Sequence, residues 1–275
     1  MNKFYQLLRI NHYIKNFLVF APLLFTSKLS NNHDIFNSLY AFIVFCILAS
    51  CVYILNDILD LDSDRIHPHK KKNKPLAAKI ISINTAKIIF ILLILILAIL
   101  IFFNNKVMTA SFIYLFLNFI YTIYLKKIPY IDIIALSSNY ILRIYMGCAV
   151  LTVDLSIWMG ATVFFSALFI STLKRRQELL LYGSRSREVL KRYSIKNLKR
   201  IINVSALVTI IFYSLYVFSI NEKLILTIPM VIYGVLRYMH RSEKENFSDS
   251  PVDEIIKDKQ NILLILIWFL IIINS

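Results

Sequence analysis

The sequence predicts an all-α integral membrane protein: a nine-transmembrane-helix bundle with a polar cavity facing the cytoplasm. Three observations carry this prediction. Of 275 residues, 58% are hydrophobic and only 4 are glycine, whereas soluble domains are roughly 45–50% apolar. Mean hydropathy is +0.66. The polar remainder lies between apolar stretches and is strongly basic, with 31 Lys and Arg against 16 Asp and Glu and a net charge of +15. This excludes a disordered, collagen-like or ordinary soluble chain. In such a protein a basic excess first reports which side of the bilayer its loops occupy, so the partner it implies is the membrane and not nucleic acid.

A transmembrane helix needs about 20 mostly apolar residues. Candidate spans run near 17–29, 36–56, 84–103, 107–125, 131–150, 156–173, 201–220, 222–239 and 260–274. The connections are polar, and two are long, 57–83 and 174–200. No Pro-, Gly- or Ser-rich linker divides the chain, so a single domain over 1–275 is expected. The first sixteen residues lack a continuous apolar region with a small-residue cleavage site, so no removed leader is expected. Cys46, Cys51 and Cys148 lie in apolar stretches without metal spacing and read as small core residues. With the N-terminus inside, the cytoplasmic segments carry 26 basic residues and the outer connections 3, namely Lys28, Lys106 and Lys223. That asymmetry places the N-terminus in the cytoplasm and the C-terminus outside.

The first long loop opens with NDILDLDSDRIHPHKKKNKP, four aspartates within eight residues followed by a basic run. On a helix, Asp57, Asp60 and Asp64 fall within roughly 60° of one another and Asp62 points away. Carboxylates sharing a face repel unless a cation sits among them. An oxygen-only set of this kind suits Mg²⁺, which keeps several waters and bridges to substrate phosphates. The competing reading is a solvated helix end.

A second polar stripe lies inside an apolar segment. Asp132, Asn139 and Arg143 share one helix face, with Arg143 roughly 16 Å along the axis from Asp132. Ionisable residues at membrane depth face a bundle interior or a wet cavity; an Asp–Arg pair joining helices is the alternative. Asn118 and Tyr121 in the preceding span share a face of their own. A third cluster is LKRRQELLLYGSRSREVLKRY, residues 173–193. Arg185, Arg187, Lys191 and Arg192 read as orientation charges, whereas Lys174, Arg175 and Arg176 stand directly at the end of a span, where they would suit an anion. Lys15 and Asn16 stand at the mouth of the first span.

Together these residues resemble the UbiA superfamily of intramembrane polyprenyl-group enzymes. Its first motif, NDxxDxxxD, is matched by Asn56, Asp57, Asp60 and Asp64, and nine helices is the family's number. RINHYIKNFLVFAPLLF, NDILDLDSDRIHPHKKKNKPLAA, YTIYLKKIPYID with ILRIYMG, FISTLKRRQELL and YGVLRYM resemble, in order, the decaprenyl-phosphate phosphoribosyltransferase branch. Two departures stand out. The second aspartate-rich motif of the prenylating members is replaced by KRRQE, with Glu178 as the only nearby acid, and Asn11, His12 and Tyr13 differ from the branch pattern.

The resemblance implies Mg²⁺-dependent transfer of the 5-phosphoribosyl group from phosphoribosyl diphosphate (PRPP) to a decaprenyl-like polyprenyl phosphate, releasing diphosphate. The product would be a lipid-linked pentose donor for envelope glycans, made at the cytoplasmic face of a bacterial inner membrane. The resemblance makes Asp57, Asp60 and Asp64 the metal-binding and catalytic acids. It implies that Lys15, Arg143, Lys174 and Arg175 hold phosphate groups and that Asn56, Tyr121, Lys126 and Asp132 position the metal complex or the ribose. Asn16, Lys70, Lys74 and Glu178 complete the expected substrate-binding set. Association into a homo-oligomer is left open. An aromatic prenyltransferase of the same family shares the first motif but would carry the second. A transporter using Asp132 and Arg143 as a relay would be expected to show repeats or Gly/Pro-broken helices.

Overall fold

The computed structural model describes residues 3–26, 28–66, 71, 74–183, 188–243, 254 and 257–274. The helices are α1 (Lys3–Leu8), a 3-10 stretch (Ile10–Phe20), α2 (Ala21–Phe25), α3 (Asn32–Leu59), α4 (Leu61–Ile66), α5 (Ile83–Phe103), α6 (Met108–Ile123), α7 (Ile131–Leu151), α8 (Ile157–Tyr182), α9 (Ile195–Ile220), α10 (Ile228–Ser242) and α11 (Lys259–Ile273). Among the described residues there is no strand.

Among the described residues, six helical segments are long and apolar enough to cross a membrane: Asn32–Leu59, Ile83–Phe103, Asn105–Ile123, Ile131–Leu151, Ile157–Tyr182 and Ile195–Ile220. The protein is therefore all-helical and multi-pass. The other three expected spans take shorter forms. Residues 17–29 fall on the 3-10 stretch and α2, where Pro22 stands in the first turn of α2. Residues 222–239 divide between a 3-10 turn, Glu222–Thr227, and α10, which has Pro229 in its first turn. Proline lacks the N–H that would carry a helix through such a point, so it starts a helix more readily than it continues one. The span expected at 260–274 is α11, of 15 residues, about 22 Å at 1.5 Å per residue and shorter than a bilayer core of about 30 Å. α8 instead runs on to Tyr182, so KRRQELLLY is helical and not loop. It stops at Gly183, whose φ of 63° and ψ of −165° lie in a region that only glycine enters readily.

Side-chain caps fix several other starts. Asn31 accepts from His33 N at 3.0 Å before α3, and Ser82 from Thr85 N at 3.1 Å before α5. Each satisfies a backbone donor that the helix leaves over.

The chain folds as two compact units, 1–125 with 142–154, and 126–141 with 155–275. In the first unit α3 is central: 61% of its apolar window is buried, against 11% for α5, which turns Ile88, Ile91, Leu92 and Leu95 outward. The core joins Val44, Phe45 and Leu48 of α3 to Val19, Leu97, Tyr114, Met146 and Val150. Gly147 lets the second half of α7 touch the 3-10 stretch, because a Cβ there would overlap the Val19 carbonyl oxygen, a backbone atom that cannot swing aside. Gly147→Ala should therefore destabilise the protein by about 1–3 kcal/mol, the usual cost of overpacking. A thermal scan in detergent with an unchanged midpoint would show that the backbone yields freely.

In the second unit Phe169 and Leu173 of α8 pack on Ile202 and Ala206 of α9 and Tyr238 of α10. Charge then fastens α11. Arg237 grips Asp258 with Nε–Oδ2 at 2.6 Å and Nη2–Oδ1 at 2.8 Å. Arg241 adds a contact to Asp258 at 3.0 Å and one to Glu254 at 3.2 Å. Asp258 also caps α11, accepting from Gln260 N at 3.1 Å. The Arg237 guanidinium holds the Asp258 carboxyl well below the usual carboxylate range. A depressed folded-state value means that the clasp contributes above the ordinary range and fades only as pH falls through the lowered value. Asp258→Asn should speed proteolysis around α11 at neutral pH, and unchanged cleavage would contradict the clasp.

Candidate functional site

The acidic motif sits where α3 ends. The span expected to end near residue 56 continues to Leu59, Asp60 takes φ −93° and ψ 6°, and α4 begins at Leu61. The helical phase nonetheless survives, because Asp60 N donates to Asn56 O and Asp64 N to Asp60 O, both at 2.9 Å, in the i to i−4 pattern. Asp57 and Asp64 are buried, 2% and 1% exposed, Asp60 is half-buried and Asp62 is exposed.

Two cations answer the buried carboxylates. Lys74 Nζ lies 2.8 Å from Asp57 Oδ1 and also donates to Asp64 Oδ2, so one ammonium joins both acids. Arg9 Nη2 donates to Asp57 Oδ1 at 2.6 Å, and its guanidinium lies 4.7 Å over the Tyr53 ring. Arg9 bends the chain between α1 and the 3-10 stretch with a left-handed φ of 53°. In the sequence Arg9 counts only as an orientation charge; its partner is 48 residues away. Asn56 Oδ1 meets the Thr122 hydroxyl on α6, a residue that sequence reasoning also missed, beside the buried Tyr121. Lys70 lies outside the described residues.

Among the described residues no three His, Cys, Asp or Glu side chains converge as a ready metal cage. The donor chemistry still fits a hard divalent ion. Asp57 Oδ2 is buried and accepts no hydrogen bond among the described residues, and Asp64 stands across the same lysine. A Mg²⁺ ion takes one or two carboxylates and completes its shell with water and substrate phosphate.

Asn16 and Arg143, separate candidates in the sequence, meet inside the first unit. Asn16 Oδ1 accepts from Arg143 Nε at 3.0 Å, and Asn16 Nδ2 donates to Cys46 Sγ at 3.3 Å. The Arg143 guanidinium lies 4.9 Å from the Phe45 ring centre and 5.8 Å from that of Tyr114, and these cation–π contacts offset part of its desolvation. Lys15 is half-buried next along the chain.

The second unit assembles Asp132, Arg175 and Glu178. Asp132 is fully buried at the start of α7 and Arg175, on α8, is 3% exposed. Arg175 Nε donates to Asp132 Oδ2 at 2.8 Å and its Nη1 to Glu178 Oε2 at 2.9 Å. The Tyr193 hydroxyl, absent from the sequence-based set, donates to the other Asp132 oxygen and accepts from Tyr130 N at 2.7 Å. Burial and the adjacent Asp132 push the Tyr193 phenol far above its usual range, which keeps it a donor. Three residues expected at a substrate are thus bonded to one another. Asn139 turns back to the Ala135 carbonyl at 3.2 Å, and Lys126 and Lys174 are half-buried.

The sequence profile of the UbiA prenyltransferase family matches residues 17–250. The chain belongs to the UbiA prenyltransferase family. This UbiA-family chain is 29% identical to the decaprenyl-phosphate phosphoribosyltransferase of Corynebacterium glutamicum, over 98% of its own length and 85% of the relative's. It is 28% identical to the protein of that name from Mycobacterium tuberculosis, over 95% and 90%. Its fold matches a UbiA homologue from Archaeoglobus fulgidus, solved with DMAPP and Mg²⁺, with a TM-score of 0.76 at 18% identity over the whole of both chains. It is a membrane transferase of the family, and its NDxxDxxxD acids lie within the matched stretch.

Proposed function

We propose that this UbiA-family enzyme moves the 5-phosphoribosyl group from PRPP to a polyprenyl phosphate and releases diphosphate. The observation that carries the reading is the joint burial of Asp57 and Asp64 against Lys74 and Arg9, acids and cations side by side. Such a mixed set suits a metal–diphosphate complex: carboxylates for the metal, cations for phosphate oxygens. Support for a phosphoribosyl donor comes from relatives named decaprenyl-phosphate phosphoribosyltransferase that align over nearly the full chain. It comes also from KRRQE standing where the prenylating members carry their second acidic motif.

Asp57 and Asp64, with Asp60 beside them, would hold Mg²⁺, which when bound neutralises charge growing on the leaving diphosphate. Lys74 and Arg9 exchange their carboxylate partners for phosphate oxygens, with Lys15 and Lys70 as further cations. Asn56, held by Thr122, orients Asp57 from the neighbouring position. The bond from the anomeric carbon to the diphosphate oxygen breaks through an oxocarbenium-like state, and an oxygen of the polyprenyl phosphate forms the new bond. That oxygen is already ionised at neutral pH, so no general base is required. We assign Arg143, Asn16, Tyr121, Lys126 and Lys174 to binding of the two substrates, and Asp132, Arg175 and Glu178 to positioning through their shared ion pairs. The 26 inward basic residues favour a cytoplasmic entrance for an anionic donor. The product is a lipid-linked pentose for the envelope of a bacterium.

Purified protein with Mg²⁺, ribose-labelled PRPP and polyprenyl phosphate should move label into the organic-extractable fraction, and prenyl diphosphate with an aromatic acid should yield nothing. The opposite outcome would make the protein an aromatic prenyltransferase.

A further inference from the structure

The second unit contains a cavity of about 210 Å³ to which the reaction above assigns no part. It lies where α8 and α10 end and α9 begins. Its walls include Arg176 of α8, Lys199 and Asn203 of α9, His240 of α10 and, at the rim beside Lys199, the acid Glu243, over an apolar floor of Leu173 and Ile202.

The Arg176 guanidinium is the reason to expect a ligand. Its Nε is buried and has no hydrogen-bond partner among the described residues, and its Nη1 only grazes the Ser242 carbonyl at 3.4 Å. That carbonyl is already satisfied by Gln177 Nε2 at 2.6 Å. A buried charged donor left unbonded is costly, and an arriving acceptor removes the cost. Lys199 reaches Glu243 at 3.3 Å, but both side chains are more than half exposed, so water screens the pair and leaves the ammonium available.

A planar fork, an ammonium and an amide around one small cavity match the several acceptor oxygens of phosphate. The cavity also sits at the ends of membrane-crossing helices on the basic side of the chain, and basic pockets between such helices take lipid head groups. We propose that this cavity is a phosphate-binding site, and the apolar floor favours a phosphate carried on a lipid.

Native mass spectrometry of the detergent-purified full chain tests this, using phosphatidylglycerol, phosphatidylcholine and inorganic phosphate as separate probes. Phosphatidylglycerol should be retained over phosphatidylcholine, with about tenfold weaker retention in Arg176→Gln, the equivalent of one lost charge-assisted hydrogen bond. Lys199→Glu, at the exposed rim, should weaken retention without endangering folding, and Lys191→Gln should change nothing. If inorganic phosphate binds with the same dependence on Arg176 and Lys199 and the lipid does not, the site stands with free phosphate as its ligand. Equal retention of both lipids with no bound phosphate, or binding indifferent to Arg176 and Lys199, would overturn the proposal.

Discussion

Asp57→Asn should lower turnover by about two to three orders of magnitude while the protein stays folded. A bound metal supplies several kcal/mol of charge stabilisation in such a reaction, and each 1.4 kcal/mol is a factor of ten in rate. The substitution removes one ligand charge and almost no volume. The partners it leaves, Arg9 and Lys74, keep 24% and 20% of their side-chain surface exposed, so water can take over part of the lost pairing. Asp62→Asn is the matched control, because Asp62 is exposed on the opposite side of the same turn. Initial rates of lipid-product formation decide the matter. Near-normal activity in Asp57→Asn, or equal losses at both positions, would remove the acidic pair from catalysis.

Arg175→Ala should destabilise the fold by about 3–5 kcal/mol, the range seen when one member of a buried ion pair is removed. Two carboxylates, Asp132 and Glu178, would lose the guanidinium that lies between them. Tyr193→Phe should cost less, about 1 kcal/mol, because Arg175 still answers Asp132. The sequence alone suggests a different outcome, in which Arg175 holds a phosphate and its loss raises KM for PRPP. Unfolding temperature in detergent and KM, measured on the same preparation, separate the two roles. A raised KM with an unchanged unfolding temperature would contradict the internal clasp.

The contrast shows which kinds of structure are legible in the chain. Hydropathy and helical phase are local, and they anticipate the six long helices and the inward turn of Asp57 and Asp64 away from Asp62. The break at Asp60 is not legible, because no proline or glycine marks it and the backbone bonds on either side keep the helical pattern. Long-range partners are equally invisible. Thr122 finds Asn56 across 66 residues and Tyr193 finds Asp132 across 61. Neither pairing leaves a periodic trace. The short α10 and α11 look like full spans in a hydropathy window because such a window cannot tell a 3-10 turn from an α-helix. Arg175 illustrates the same limit in its chemistry. A cation at a helix end advertises an anion, and the fold pairs this one with Asp132, 43 residues away, a partner that no local pattern announces.

Mn²⁺ binding followed by electron paramagnetic resonance, with and without diphosphate, tests most directly whether Asp57 and Asp64 grip the divalent ion that receives the sugar's leaving group. Wild-type protein should bind Mn²⁺ more tightly when diphosphate is present, and Asp57→Asn and Asp64→Asn should each lose that binding while Asp62→Asn retains it. Undiminished Mn²⁺ binding in both of the first two variants would contradict the account.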